Sequence, residues 1–301
     1  MQPDTSIETF DAVLPHGITL SCRAAGPAGS GVPTVLMLHG FPEAAFAWDG
    51  VMARLAGRVR CVAPNLRGFE RSSSPPEVDA YRARHLMADV EALVQRLGAP
   101  VDLLVAHDWG GAVAWNLAAQ RPHLMRRLLI INSPHPATFL RELRDSPEQR
   151  AASAYMNFLC RPDAETLLAE RDFARLWPFF ERMGGQAWLT DALRDQYRAV
   201  WRQGLTGGLN FYRASPLRPW PEGDDTLQRL AFADDQVTSR VPTTVVWGEQ
   251  DSALRPGLLD GLEQWVPGLR LVRVPDASHW IVHEQPQRIV EEIERALAHR
   301  S

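Results

Sequence analysis

Cysteine is scarce in this chain. Cys22, Cys61 and Cys160 are the only three, an odd number without the spacing of a metal site. That argues against a disulfide-framed module and fits a reducing, cytoplasmic compartment. An excess of one charge is also missing: 32 basic against 36 acidic residues leave a net charge of −4, and the basic residues are spread along the chain. Nucleic acid and anionic membrane are therefore not expected as partners. The short basic stretches at 121–127 and 141–150 are interleaved with apolar or acidic residues and read as solvated helix faces. Long apolar runs are absent too. Val35–Leu38 and Leu128–Ile131 are strand-sized, well short of a bilayer span. Residues 1–8 carry neither the basic nor the apolar region of a secretory signal.

What is present is a globular composition, 45% hydrophobic over 301 residues, enough to bury a sizeable core. Short apolar runs alternate with helical patterns, as in βαβ units on a parallel sheet. The strand-like runs are 33–39, 59–66, 101–108, 124–132, 241–248 and 269–274. Helical stretches at 83–97, 112–120 and 287–298 follow three of them. Residues 7–26 read as an antiparallel hairpin turning at Pro15-His16-Gly17. Between 133 and 239 the alternation stops, and a helical pattern rich in Trp, Phe, Arg, Leu and Ala takes over. That stretch is too long for a loop in a compact domain. The expected fold is α/β, with a mostly parallel central sheet flanked by helices. The core spans 1–132 and 240–301, and a helical cap (133–239) is inserted after the sixth strand.

The run Val101 to Trp115 enters a helix through the turn Ala106-His107-Asp108-Trp109-Gly110-Gly111. In a nucleophile elbow, small residues two before and two after the central one let strand and helix approach closely, and the central side chain is exposed on a strained turn. Ala106 and Gly110 are those small residues, with Ala where Gly is commoner, and Asp108 is central. Alone, the same turn could mean only that Asp108 caps a helix.

Three further segments stand in the chain positions that the elbow requires. Leu38-His39-Gly40-Phe41-Pro42 follows the first core strand, so the backbone N–H groups of Phe41 and Trp109 could form an oxyanion hole. Asp251 lies just past the strand ending at Gly248, and is preferred to Glu249 or Asp276 as an orienting carboxylate. His279, of nine histidines, falls at the late strand-to-helix turn, whereas His283 is expected to be structural. The order Asp108, Asp251, His279 is that of the α/β-hydrolase fold. Trp109, His39, Pro42 and Trp280 are expected to border the substrate.

These motifs, His39-Gly40-Phe41-Pro42, His107-Asp108-Trp109-Gly110-Gly111 and His279-Trp280, resemble the epoxide hydrolase branch of the α/β-hydrolases, a relative of the haloalkane dehalogenases. The resemblance extends over nearly the whole chain from about residue 8. It implies two ring-opening tyrosines on the cap. Of only four tyrosines, Tyr212 in Asn210-Phe-Tyr-Arg213 is similar to one, and Tyr155 occupies the place of the other. Tyr81 and Tyr197 match neither segment. Asn65 and Glu70 depart from the family's Asp-x-Arg-Gly-Tyr-Gly-x-Ser loop, which is chiefly structural.

A carboxylate attacking saturated carbon gives an ester that water can cleave, so the leaving group must be an epoxide oxygen or a halide. The expected reaction is epoxide opening to a vicinal diol, on a small, largely apolar substrate with water. Asp108 is the nucleophile, His279 and Asp251 activate water, and Tyr155 and Tyr212 act as acids; no metal or organic cofactor is called for. The rival is a haloalkane or haloacid dehalogenase with the same triad. Phe41 lacks the side-chain donor that a halide site needs; Trp177 could supply one, but packing within the cap is the preferred reading for it. Fluoroacetate dehalogenases follow the nucleophile with Arg, where this chain has Trp109. A non-enzymatic binding module is disfavoured because every catalytic element is retained. A homodimer is compatible with the sequence.

Overall fold

The computed structural model describes residues 6–182 and 187–298. The chain opens with β1 (Glu8–Val13) and β2 (Thr19–Ala25), an antiparallel hairpin closed by Leu14 N–H to Ile18 O at 2.7 Å. Strand–helix units follow: β3 (Thr34–Leu38), α1 (Asp49–Leu55), β4 (Arg60–Pro64), α2 (Ala83–Leu97), β5 (Leu103–His107), α3 (Asp108–Gln120) and β6 (Leu128–Ile131). Helix α2 shows the local logic. Its buried apolar residues Leu86, Met87, Val90, Leu93 and Val94 lie on one stripe of a 3.6-residue repeat, and Gly98 ends it in the left-handed region (φ 92°).

The sheet has eight strands in the order β1-β2-β4-β3-β5-β6-β7-β8, with β7 (Thr243–Gly248) and β8 (Leu269–Val274) following the long insertion. Only the pairings of β2 with β1 and β4 are antiparallel. The inner strands are buried on both faces. Val35, Met37, Leu103 and Val105 face one helical layer, while Leu36, Leu38, Leu104 and Ala106 face the other. Period-two alternation between two apolar layers explains why these strands read as unbroken apolar runs. Because β4 and β5 lie on opposite sides of β3, the chain reverses direction at the β3–β5 seam, and a crevice opens there at the carboxyl ends. The register pairs Leu38 with Ala106, so the 39–41 turn and Asp108 emerge side by side.

The insertion carries α4 (Pro136–Asp145), α5 (Pro147–Ala152), α6 (Tyr155–Leu159), α7 (Ala164–Phe173), α8 (Trp177–Glu181), α9 (Asp191–Trp201), α10 (Thr206–Ala214), and the short α11 (Thr226–Arg229) and α12 (Asp234–Val237). Its sharp corners come from capping: Ser146 and Thr190 accept the N–H groups of Gln149 and Leu193, and Pro136 and Pro147 open their helices. Its apolar side continues the sheet's own core through aromatic contacts. Phe180 lies 4.6 Å from Trp280 and 4.8 Å from Tyr197, ring centre to ring centre. After β8, α13 (Ile281–Glu284) and α14 (Pro286–Ala298) return to the outer layer. Among the described residues, no helix is long and apolar enough to cross a membrane.

Candidate active site

Strand β5 delivers Asp108 to the seam on a backbone with φ +49°, a left-handed conformation costly for a residue with a Cβ. The tight packing that enforces it is visible in two glycines. A Cβ on Gly110 would stand 2.5 Å from the Leu38 carbonyl oxygen, and one on Gly40 would stand 2.1 Å from Asp108 Oδ1. With Gly40 in place, the Phe41 N–H donates to Asp108 Oδ1 at 2.8 Å. Trp109, the first residue past the elbow, brings one of the N–H groups left free at the start of α3. The Ser133 hydroxyl fixes the Asp108 carbonyl at 2.7 Å.

The other carboxylate oxygen, Oδ2, faces His279, whose Nε2 is 3.8 Å away. His279 Nδ1 lies 2.6 Å from Asp251 Oδ2, so the nitrogen nearest Asp108 is the one left to exchange a proton. Asp251 is fully committed. Its Oδ1 accepts the N–H groups of Ala253 and Leu254, both at 2.9 Å, and its Oδ2 also accepts from Asn132 Nδ2 at 2.8 Å. Burial alone would raise the Asp251 pKa, but His279 and these donors reverse it and hold the carboxyl below its ordinary value. Burial would likewise lower the His279 pKa. The Asp251 carboxylate outweighs it, with Asp108 and Glu43 adding to the effect, and the imidazole is pushed up to about 9.

Two tyrosines of the insertion, Tyr155 on α6 and Tyr212 on α10, line a cavity together with Asp108 and His279. Their rings are 6.2 Å apart, and Tyr212 packs edge-on against Trp109 at 5.0 Å. Burial pushes both hydroxyls well above the ordinary tyrosine pKa, and the negative charge of Asp108 adds to it, so both stay protonated as donors. A pair of cavities meets at Asp108, Tyr155 and Tyr212. One runs over α3 and is walled mainly by apolar side chains such as Leu86, Val113, Phe139 and Met156. The other passes His279, Trp280, Phe158 and Phe179 and carries Arg175 and Arg182.

Two expectations, for His39 and Pro42, are corrected. His39 does not border either cavity: it is wholly buried, its Nδ1 is 2.9 Å from the Gly40 carbonyl and its Nε2 accepts the Leu66 N–H. It shapes the turn instead, and burial lowers its pKa to about 4. Pro42 is also buried outside the cavities, its carbonyl held by Trp201. Trp280 and Trp109 do line cavities, one each. Trp177 lines neither, packing on Trp201 with Arg194 and Arg198 over its ring. Glu249 pairs with Arg273, and Asp276 is exposed. Tyr81 gives its hydroxyl to the Pro75 carbonyl, and Tyr197 to Glu43.

Sequence reasoning missed Asn132, whose place at the end of β6 was its one visible signal. It also missed the buried group behind His279. There the Glu43 carboxylate takes Tyr197 and His283 on Oε1 and lies 3.4 Å from His107 Nδ1 through Oε2. His107 in turn bonds the His279 carbonyl through Nε2. Burial would raise the Glu43 pKa, but His283 and His107 hold it well below the carboxylate range.

A profile of the family described as alpha/beta hydrolase fold matches residues 33–286. Epoxide hydrolase 3 of Mus musculus is 32% identical over 92% of this chain and 73% of its own length. The chain belongs to the α/β-hydrolase superfamily, in its epoxide hydrolase branch. A Bacillus subtilis protein described as AB hydrolase superfamily protein YfhM is 34% identical over 90% of this chain and 91% of its own. Among solved structures, the Bacillus megaterium epoxide hydrolase in complex with an inhibitor superposes with a TM-score of 0.87. It is 28% identical, over 96% of this chain and 99% of that one. For this α/β-hydrolase, shared architecture accounts for the sheet order, and the side chains at the seam must account for the chemistry.

Proposed function

We propose that the protein hydrolyses an epoxide to a vicinal diol through a covalent ester on Asp108. One observation carries the reading: the Asp108 Oδ2 has His279 Nε2 at 3.8 Å, and two protonated phenols, Tyr212 buried and Tyr155 half-buried, line the same cavities. Asp108 Oδ2 attacks a ring carbon, the carbon–oxygen bond breaks, and the alkoxide takes a hydrogen bond or proton from Tyr155 or Tyr212. Water then yields a proton to neutral His279 and attacks the ester carbon. The oxyanion that forms at Oδ1 is held by the N–H groups of Phe41 and Trp109. Collapse expels the diol oxygen, which takes the proton back from the imidazolium. The proton left on the Asp108 carboxyl replaces the one given up at the phenol, so that one water is consumed per diol. The residues 133–239 act as the cap, bringing the phenols, and the mostly apolar walls suit a small, largely apolar substrate.

A halide leaving group would need a second donor beside Trp109. Phe41 has none in its side chain, and Trp177 is packed away from both cavities. The test is mass spectrometry of the His279→Gln variant after exposure to styrene oxide or, separately, 1,2-dibromoethane. An adduct on Asp108 from the epoxide alone is expected. An adduct from the dihalide alone, with halide release by the unaltered protein, overturns the proposal.

A further inference from the structure

We infer that helix α9 sets the oxyanion donor: Tyr197 and Trp201, one turn apart, are positioning residues for the Phe41 N–H. Both side chains leave the insertion and end on the same core segment. The Trp201 indole N–H donates to the Pro42 carbonyl at 2.7 Å, and the Tyr197 hydroxyl donates to Glu43 Oε1 at 2.7 Å. The i, i+4 spacing is what lets two side chains of one helix reach adjacent residues. Both groups are buried, so water does not compete for either bond. The residue just before this grip is Phe41, whose N–H holds Asp108 Oδ1, and whose ring packs on Tyr212 and Phe179 of the insertion at 5.4 and 6.3 Å.

From the core side, Glu43 is met by His283 at 2.5 Å and by His107. Tyr197 is its contact from the insertion among the bonds described. Helix α9 is itself braced: Trp201 packs on Trp177 at 4.7 Å and Phe173 at 5.5 Å, and Tyr197 on Phe180. A shift of α9 therefore moves the 41–43 segment. The bonds among His279, Asp251 and Asn132 involve no residue of α9 or of 41–43; the link from Glu43 toward His279 runs through His107 to its carbonyl, not to its ring.

The consequence rests on the ester mechanism proposed above. During ring opening, negative charge leaves the Asp108 carboxylate, and no oxyanion develops at Oδ1. Charge builds there only when water attacks the ester, so that half-reaction depends on a well-placed Phe41 N–H more strongly than ring opening, where the same donor only orients the carboxylate. The insertion would thus serve both halves, ring opening through its phenols and ester hydrolysis through α9.

Rapid-quench mass spectrometry with styrene oxide tests this on Tyr197→Phe and Trp201→Phe, with His279→Gln as reference. The expected result is that the Asp108 adduct forms within about twofold of the unaltered rate and hydrolyses about tenfold more slowly, so that it accumulates. Equal slowing of both steps, or unchanged hydrolysis, in a variant with the native circular dichroism overturns the inference. Should Trp201→Phe fail to fold, Tyr197→Phe, which loses one oxygen, carries the test. If His279→Gln forms no adduct at all, the ester mechanism falls, and this inference with it.

Discussion

Asp108 meets two dissimilar walls. On the sheet side its neighbours are fixed by backbone: Phe41, Asp251 and His279 each follow a strand of the eight-stranded sheet, and their bonds run through main-chain N–H groups or a fully satisfied carboxylate. On the insertion side Tyr155 and Tyr212 are set by ring packing against Phe179, Phe41, Trp109 and one another, joined only by hydrogen bonds between side chains, Tyr212 to Tyr155 and to Trp109. Hydrogen bonds from strand ends have sharp geometry, whereas aromatic edges tolerate small displacements. The same scaffold can therefore keep its nucleophile and histidine in register while the wall that meets the leaving group varies by packing.

The largest expected effect comes from the sheet side. Asp108→Asn should lower kcat for epoxide hydrolysis by more than about a thousandfold, because an amide does not form the ester, with the melting temperature little changed. Activity retained within tenfold would break the assignment of the nucleophile. The insertion side comes next. Tyr212→Phe and Tyr155→Phe should each slow adduct formation by about ten- to a hundredfold in single-turnover experiments while leaving hydrolysis of a preformed adduct unchanged. If both steps slow together, the phenols are positioning the core and the two walls are not separable.

The smallest effect is on pH. In the resting protein Asp251, with Asp108 and Glu43, pushes the His279 pKa up to about 9 against the lowering effect of burial. The hydrolytic step needs neutral imidazole, so its rate should rise with pH and level off above that pKa. Esterification removes the Asp108 charge, so the midpoint for adduct hydrolysis should lie below about 9. Glu43→Gln removes another negative charge and should move the midpoint further toward acid. A midpoint that stays put, or moves toward base, would detach Glu43 from the histidine. The pH dependence of adduct decay after rapid mixing reads this directly.

The strands and the elbow were legible because their signals are local. Alternating burial on both faces writes itself as apolar runs, and a close strand–helix approach leaves small residues such as Gly110 at fixed offsets. The chain order of Asp108, Asp251 and His279 could be read because each follows a strand. Asn132 could not, since a polar residue after β6 looks the same whether or not its amide meets Asp251. His39 misled for the reverse reason: its neighbours in sequence border the site, but its ring turns inward to Leu66 and Gly40. Trp177 was legible as a cap aromatic that could pack or donate; which ring it would face depended on α9.

By itself, then, the sequence determined that an acidic side chain would stand on a strained turn between β5 and α3. Turn geometry follows from residues within a few positions of one another. It also determined the superfamily, because those motifs are contiguous. Only the tertiary structure decided that Glu43, His107, His283 and Tyr197 share one buried charge behind His279, and that Trp201 closes on Pro42. All of these contacts but that of Glu43 with His107 join residues more than a hundred positions apart. Their partners are chosen by how the insertion docks on the sheet, which no local pattern encodes.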